Sequence, residues 1–143
     1  ELCLAVLGAS LQTVVHFKEI KLRPERKHTL ERQQQQVEAV KEAISLYPLQ
    51  EWTLAELARY AHTSPYHLAR VFRAEVGVPV HRYLIRTRLL QALNAMHDSK
   101  QELTELALEA GFSSHSHFSA SFRSLFACAP SNLRKLWLAQ SGI

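Results

Sequence analysis

The chain has 143 residues, a formal net charge of +4 and a sequence pI of about 9.3. A hydrophobic fraction of 47% is enough for the packed core of one domain or two very small ones, and 4 Gly with 5 Pro exclude a low-complexity chain. The basic balance permits a polyanionic partner without requiring one.

The two cysteines, Cys3 and Cys128, lie far apart and form no CxxC pair, which fits a reducing cytosol better than a secreted disulfide scaffold. No uninterrupted apolar run is long enough to span a bilayer. The chain starts at Glu1 and is read as part of a longer protein. Its opening, Leu2 to Val15, reads as an apolar helix and not a signal peptide, because no basic segment precedes it. Such a helix is either the end of an upstream regulatory domain or a dimerisation helix that would make the chain a homodimer. Phe17 to His28 is charged, holds Pro24 and is the best linker candidate, so residues 1–28 are set apart from a domain at 29–143.

Thr29 is the expected N-cap of the next helix. Val37, Val40, Ile44 and Tyr47 recur in it at helical spacing, and Pro48 ends it. Thr53-Leu-Ala-Glu56 has the form of a capping box, so a helix starts at Leu54 with Leu54, Leu57, Ala58 and Ala61 inward. His62-Thr63 makes a turn. Ser64 caps the following helix, and Pro65 suits its first position, where a missing N–H costs nothing. Leu68, Val71 and Phe72 face the core there, and Gly77 ends the helix.

A longer helix runs over about 80–97, with Val80, Tyr83, Leu84, Leu89, Ala92, Leu93 and Met96 as its buried stripe and Arg82, Arg86 and Arg88 as its basic residues. Ser99-Lys-Gln-Glu102 reads as a second capping box. Leu103, Leu106, Ala107 and Ala110 are inward after it, Gly111 ends that helix and Phe112 plugs the turn. Ser113 or Ser114 caps a helix burying Phe118, Phe122 and Leu125. Pro130 opens a final helix, to about 139, that carries Leu133, Leu136 and Trp137. No segment alternates with period two, so the chain is expected to be all-α.

Two of these stretches echo each other. Shifted by 49, Leu54, Glu56, Leu57, Ala58, Ala61 and Ser64 fall on Leu103, Glu105, Leu106, Ala107, Ala110 and Ser113. Shifted by 50, Leu68, Phe72 and Arg73 fall on Phe118, Phe122 and Arg123. The second copy therefore carries one extra residue in its turn. A repeat that keeps its apolar positions and varies its polar ones is one supersecondary unit used twice, here a helix-turn-helix at about 54–75 and again at about 102–126.

A helix-turn-helix reads DNA by laying its second helix in the major groove, where each base pair shows a distinct edge. Long polar residues near that helix's start are the candidates: Tyr66, His67 and Arg70 in the first unit, and His115, Ser116 and Ser119 in the second. Arg70 is the best reader, since a guanidinium can bind guanine in a bidentate fashion. Arg73 and Arg123 lie at the far helix ends as phosphate contacts or surface ion pairs. Ser64, Ser114 and Ser131 stand where helix N-termini can donate to phosphates.

Other chemistries have little support. His115 and His117 diverge on a helix, and His62 and His67 have no Cys or acid nearby in sequence, so no metal site is expected. No phosphate loop or nucleophile motif is present, and neither an enzyme activity nor a cofactor is expected.

The second unit and its tail resemble the signature of the AraC/XylS family of bacterial transcription regulators. Leu106-Ala107, Gly111-Phe112, Phe118, Phe122-Arg123, Pro130 and Arg134 occupy its places, and Tyr83-Leu84, Arg88-Leu89 and Ala92 resemble the family's connecting helix. The resemblance covers about Gln50 to Leu136. It implies a seven-helix DNA-binding domain, in which a linker helix holds two helix-turn-helix units apart and their recognition helices enter successive major-groove segments of double-stranded DNA. By position it assigns base contacts to Tyr66, Ala69 and Arg70 and to His115, Ser116 and Ala120. It also implies an activator that contacts RNA polymerase. Ala127 stands where the family usually has Gly, Ala129 where it has Ser or Thr, Leu133 where it often has an aromatic, and His62 replaces the Gly of the first turn. Ala69 and Ala120 can touch a thymine methyl and cannot hydrogen-bond a base. The rival expectations are a helical interaction module without DNA binding and a DNA-binding arm of an enzyme.

Overall fold

The computed structural model describes residues 23–98 and 101–140. Seven α-helices hold the regular structure of those residues: α1 (Pro24–Leu46), α2 (Leu54–Tyr60), α3 (Pro65–Val76), α4 (Val80–Asp98), α5 (Leu103–Glu109), α6 (His115–Phe126) and α7 (Pro130–Gln140). Contacts divide the chain into residues 1–32, described only from residue 23, and residues 33–143. The expected Leu2–Val15 helix lies outside the described residues, as does Ser99.

Residues 33–140 hold two cores. Val37, Val40, Ala43 and Ile44 of α1 pack with Leu57, Ala58 and Ala61, with Leu68, Val71 and Phe72 of α3, and with Val80 and Leu84 at the start of α4. Leu89, Ala92 and Met96 further along α4 pack with Leu106, Ala107, Ala110, Phe112, Phe118 and Phe122, and Leu133 and Trp137 of α7 close that cluster. So α4 completes the first core and founds the second. In the second core the buried Phe112, Phe118 and Phe122 and the half-buried Phe126 run in a chain of ring contacts 4.5 to 5.6 Å apart.

The helix boundaries follow their caps. Thr53 accepts from the Glu56 amide at 3.2 Å, and the Glu56 carboxylate accepts from the Thr53 amide at 2.8 Å. Ser64 and Ser114 cap α3 and α6, accepting from the His67 and His117 amides at 3.2 and 3.1 Å. Gly77 ends α3 in the left-handed region at φ 82°.

Several expectations are corrected. Thr29 is not an N-cap: α1 starts at Pro24, so residues 24–28 of the expected linker are helical, and the Thr29 hydroxyl donates to the Glu25 carbonyl inside the helix. Glu102 is not the third residue of a helix but the N-cap of α5, with no side-chain hydrogen bond. Tyr47, Leu54 and Leu125 are exposed: Tyr47 follows the end of α1, Leu54 is the first residue of α2, and Leu125 stands on α6 outside the cluster that Phe122 and Phe126 join. Ser114 and not Ser113 is the partner of Ser64. Equivalent turn bonds run from the Thr63 amide to the Ala58 carbonyl and from the Phe112 amide to the Ala107 carbonyl, so Ser113 is the extra residue. Arg88 takes a place that its basic character alone does not show. Expected among the basic residues of α4, it is 8% exposed. Its Nε donates to the Pro48 carbonyl at 2.7 Å, its Nη1 to the Gly111 carbonyl at 2.8 Å and its Nη2 to the Gln50 carbonyl at 3.1 Å.

Candidate nucleic-acid interface

The start of α3 is built for exposure. Ser64 and Pro65 fix where the helix begins, and its apolar residues Leu68, Val71 and Phe72 anchor one side. That leaves Tyr66 82% exposed, an aromatic ring with no apolar surroundings to account for it. Arg70 follows one turn later, also exposed, and His67 is half-buried beside them. Ala69, half-buried, lines a groove with Leu54 and Leu57 of α2 and His81 of α4.

The start of α6 repeats the arrangement with shorter side chains. Ser114 caps it, Phe118 and Phe122 are fully buried, and His115, Ser116 and Ala120 are exposed. The Ser119 hydroxyl lies 3.4 Å from His115 Nε2, which ties two candidate readers together across one turn. His117 packs edge-on against Phe112, with ring centroids 5.4 Å apart, so it braces the turn.

Lys41–Glu38 is the one ion pair among the described residues, so Arg70, Arg73, Arg82, Arg86 and Arg123 have no acidic partner there. Arg73 and Arg123 each stand in the last turn of their helix, where a cation also meets the negative end of the helix dipole. Ser64 and Ser114 keep a hydroxyl proton to donate while they cap, and Ser131 is exposed in the first turn of α7. No group of three or more His, Cys, Asp or Glu is arranged to hold a metal ion among the described residues.

The spacing of the two faces rests on Arg88. It holds the loop before α2 and the turn before α6 through one guanidinium, and burial pushes its pKa down from the ordinary range. Gly111 answers to it. A Cβ there would lie 3.2 Å from Arg88 Cζ, and φ is +78°. Arg134 of α7 acts similarly in the second unit, donating to the Gln101 carbonyl ahead of α5. Sequence reasoning missed the Arg88 role, although a signal existed. Val80, Leu84, Arg88, Ala92 and Met96 succeed one another at i, i+4 spacing and all are buried. Reasoning also missed a groove of about 510 Å³ between α4 and α6, whose walls include Arg82, Arg86, Ser121 and Ser124.

Residues 57–136 match a protein-family profile described as a helix-turn-helix domain. The virulence regulon transcriptional activator VirF of Yersinia enterocolitica is 32% identical over 94 residues, which are 66% of this chain and 35% of that protein. The chain spans about a third of the length of the curated relatives it matches. An AraC-type transcriptional regulator from Chromobacterium violaceum superposes with a TM-score of 0.69 at 23% identity, covering 73% of this chain and 93% of that one. The DNA-binding domain of AdpA, solved in complex with a target DNA, superposes with a TM-score of 0.67 at 25% identity, covering 73% and 94%. No helix among the described residues is long and apolar enough to cross a membrane. The paired helix-turn-helix units, the shared α4 and these matches have one reading: the chain belongs to the AraC/XylS family of transcription regulators and carries that family's helix-turn-helix domain.

Proposed function

We propose that this chain is the sequence-specific DNA-binding part of a transcription activator, and that it reads two successive major-groove segments of double-stranded DNA with α3 and α6. The observation that carries the reading is the exposed pair Tyr66 and Arg70 at the start of α3, matched by His115 and Ser116 at the start of α6. Arg70 takes guanine O6 and N7, and Tyr66 lies against the neighbouring base or sugar. His115, Ser116 and Ser119 read the second segment with shorter reach, and Ala120 meets a thymine methyl. Arg73, Arg123 and the amides at Ser64, Ser114 and Ser131 hold phosphates and set orientation. Because the units are tandem copies, one chain binds an asymmetric site. As an activator it also contacts RNA polymerase, and any homodimer forms through the region before α1. The VirF protein, named as an activator, and AdpA, solved on its target DNA, support this reading.

Selection from a random duplex pool, followed by affinity against scrambled DNA over a range of salt, tests it. An enriched asymmetric site with two boxes about one helical turn apart is the expected result. Feeble binding without enrichment, insensitive to salt, would overturn it.

A further inference from the structure

Beside the second reading helix, between α4 and α6, lies a further basic surface. We propose that the groove between α4 and α6 seats the DNA phosphates that cross between the two major-groove boxes, with Arg82 and Arg86 as the anchoring cations. The inference rests on the DNA-binding reading above and adds to it a third contact region, supplied by the linker helix itself.

Four observations carry it. Arg82 and Arg86 are both exposed and stand at i, i+4 on α4, so they share one face with their Cβ atoms about 5–6 Å apart. No acidic residue lines the groove, and neither arginine has an acidic partner among the described residues. The opposite wall offers the hydroxyls of Ser121 and Ser124, which can donate to phosphate oxygens as the guanidiniums do. The groove is also continuous with the reading face. Ala120 forms part of its wall, and His81 borders both this groove and the one that holds Ala69 of α3. A duplex that presents its major groove to α3 and then to α6 must pass its backbone across the segment between them. Two unpaired guanidiniums facing that path are placed to neutralise charge there and to release counterions. An acidic protein segment is the rival occupant, but continuity with the reading helix α6 favours the backbone.

The test uses the whole chain, the two-box duplex taken from the random pool, and the same duplex with neutral methylphosphonates at the linkages between the boxes. The Arg82→Ala/Arg86→Ala variant should keep its helix content and melting curve, since both side chains are exposed. It should bind the native duplex roughly tenfold more weakly near 0.1 M salt, with the salt slope reduced by about 2, one unit per lost phosphate contact. Wild type should lose affinity on the methylphosphonate duplex and the variant should not. Arg82→Lys/Arg86→Lys should recover most of the native affinity. Equal methylphosphonate penalties on wild type and the alanine variant would overturn the proposal. So would unchanged DNA binding by that variant with lost activation in a purified transcription assay, which would assign the groove to a protein. If wild type enriches no duplex at all, the DNA-binding reading fails first and this one with it.

Discussion

The two helix-turn-helix units share a plan and differ in where they accept backbone strain. Each needs two residues in the left-handed region, one after its first helix and one after its second. The first unit places His62 at φ 52° in the turn and Gly77 at φ 82° at the end of α3. The second places Gly111 at φ 78° in the turn and Ala127 at φ 57° at the end of α6. Each unit thus has one glycine and one residue that tolerates the region poorly, and the order is reversed. Crowding explains half of the reversal. At Gly111 a Cβ would stand 3.2 Å from Arg88 Cζ, so a side chain there meets backbone strain and also needs the guanidinium to give way by a few tenths of an ångström. Nothing lies within 4 Å of a Cβ built at Gly77, so that position demands only the backbone angle. Nothing in the structure explains why Ala127 is not glycine.

Arg88 is where the two units cease to be independent, and removing it should have the largest effect. Arg88→Ala takes one guanidinium from three carbonyls, two ahead of α2 and one in the turn before α6. Hydrogen bonds to a charged group, with carbonyls left unpaired on loss, put the cost at about 2–4 kcal/mol. Urea unfolding followed by helix signal measures it. A cost no larger than that of Arg82→Ala, an exposed arginine on the same helix, would mean that the two cores hold their spacing without the strut.

The reading helices should separate next. If Arg70 binds guanine in a bidentate fashion, Arg70→Ala costs about 1–3 kcal/mol on the selected site and relaxes preference at one base pair. His115→Ala removes at most a single hydrogen bond and should cost about 0.5–1.5 kcal/mol. Titration of both variants on selected and scrambled duplexes gives the ratio. Equal losses on the two duplexes for Arg70→Ala would reassign it to phosphate binding, and a larger loss for His115→Ala would make the second unit the principal reader.

Much of this was legible in the sequence because local chemistry and tertiary packing agree. Thr53 with Glu56, Ser64 with Pro65, and Gly77 mark helix ends whatever surrounds them, and the structure has its ends there. The all-helical class and the doubled unit followed from apolar spacing and the 49- and 50-residue shifts. The failures lie where tertiary structure decides. Periodicity makes Leu54 and Leu125 inward, yet whether a helix edge is covered depends on how far its neighbours reach. The residue type marks Arg88 only as basic, like Arg82 and Arg86; the carbonyls of distant loops are what make its burial tolerable. The groove at Arg82 and Arg86 depends on how α6 packs beside α4, and a linear pattern does not carry that.

Exchanging the strained positions sharpens the comparison at smaller scale. Ala127→Gly and His62→Gly should each stabilise the chain by about 0.5–1 kcal/mol. Relief of roughly 1–2 kcal/mol of left-handed strain is offset in part by the greater freedom of glycine in the unfolded chain. Gly77→Ala should cost about 1 kcal/mol through the angle alone. Gly111→Ala should cost more, because it also displaces Arg88. Thermal melting of the four variants orders them. If Gly111→Ala matches Gly77→Ala, the guanidinium yields freely and is no constraint on that turn.

An effect of similar size concerns the caps. The first helix of the first unit starts with a reciprocal Thr53–Glu56 box, whereas α5 starts at Glu102 with no side-chain bond. Glu105 already stands three residues after Glu102, as Glu56 does after Thr53. Glu102→Thr therefore supplies the missing half of a box, and should stabilise the chain by about 0.5–1 kcal/mol. A pH dependence distinguishes a true box from a better N-cap alone. In the existing box the Thr53 hydroxyl and amide both donate to the Glu56 carboxylate and lower its pKa in the folded state. A lowered folded pKa means stability that is present above the unfolded value, near 4.3, and lost as pH falls through the folded one. Glu56→Gln should accordingly remove part of the acid sensitivity of the parent chain. The gain from Glu102→Thr should fade over the same acidic window if Glu105 closes the box. A gain that persists unchanged below that window would mean Thr caps α5 through its hydroxyl while Glu105 remains in solvent.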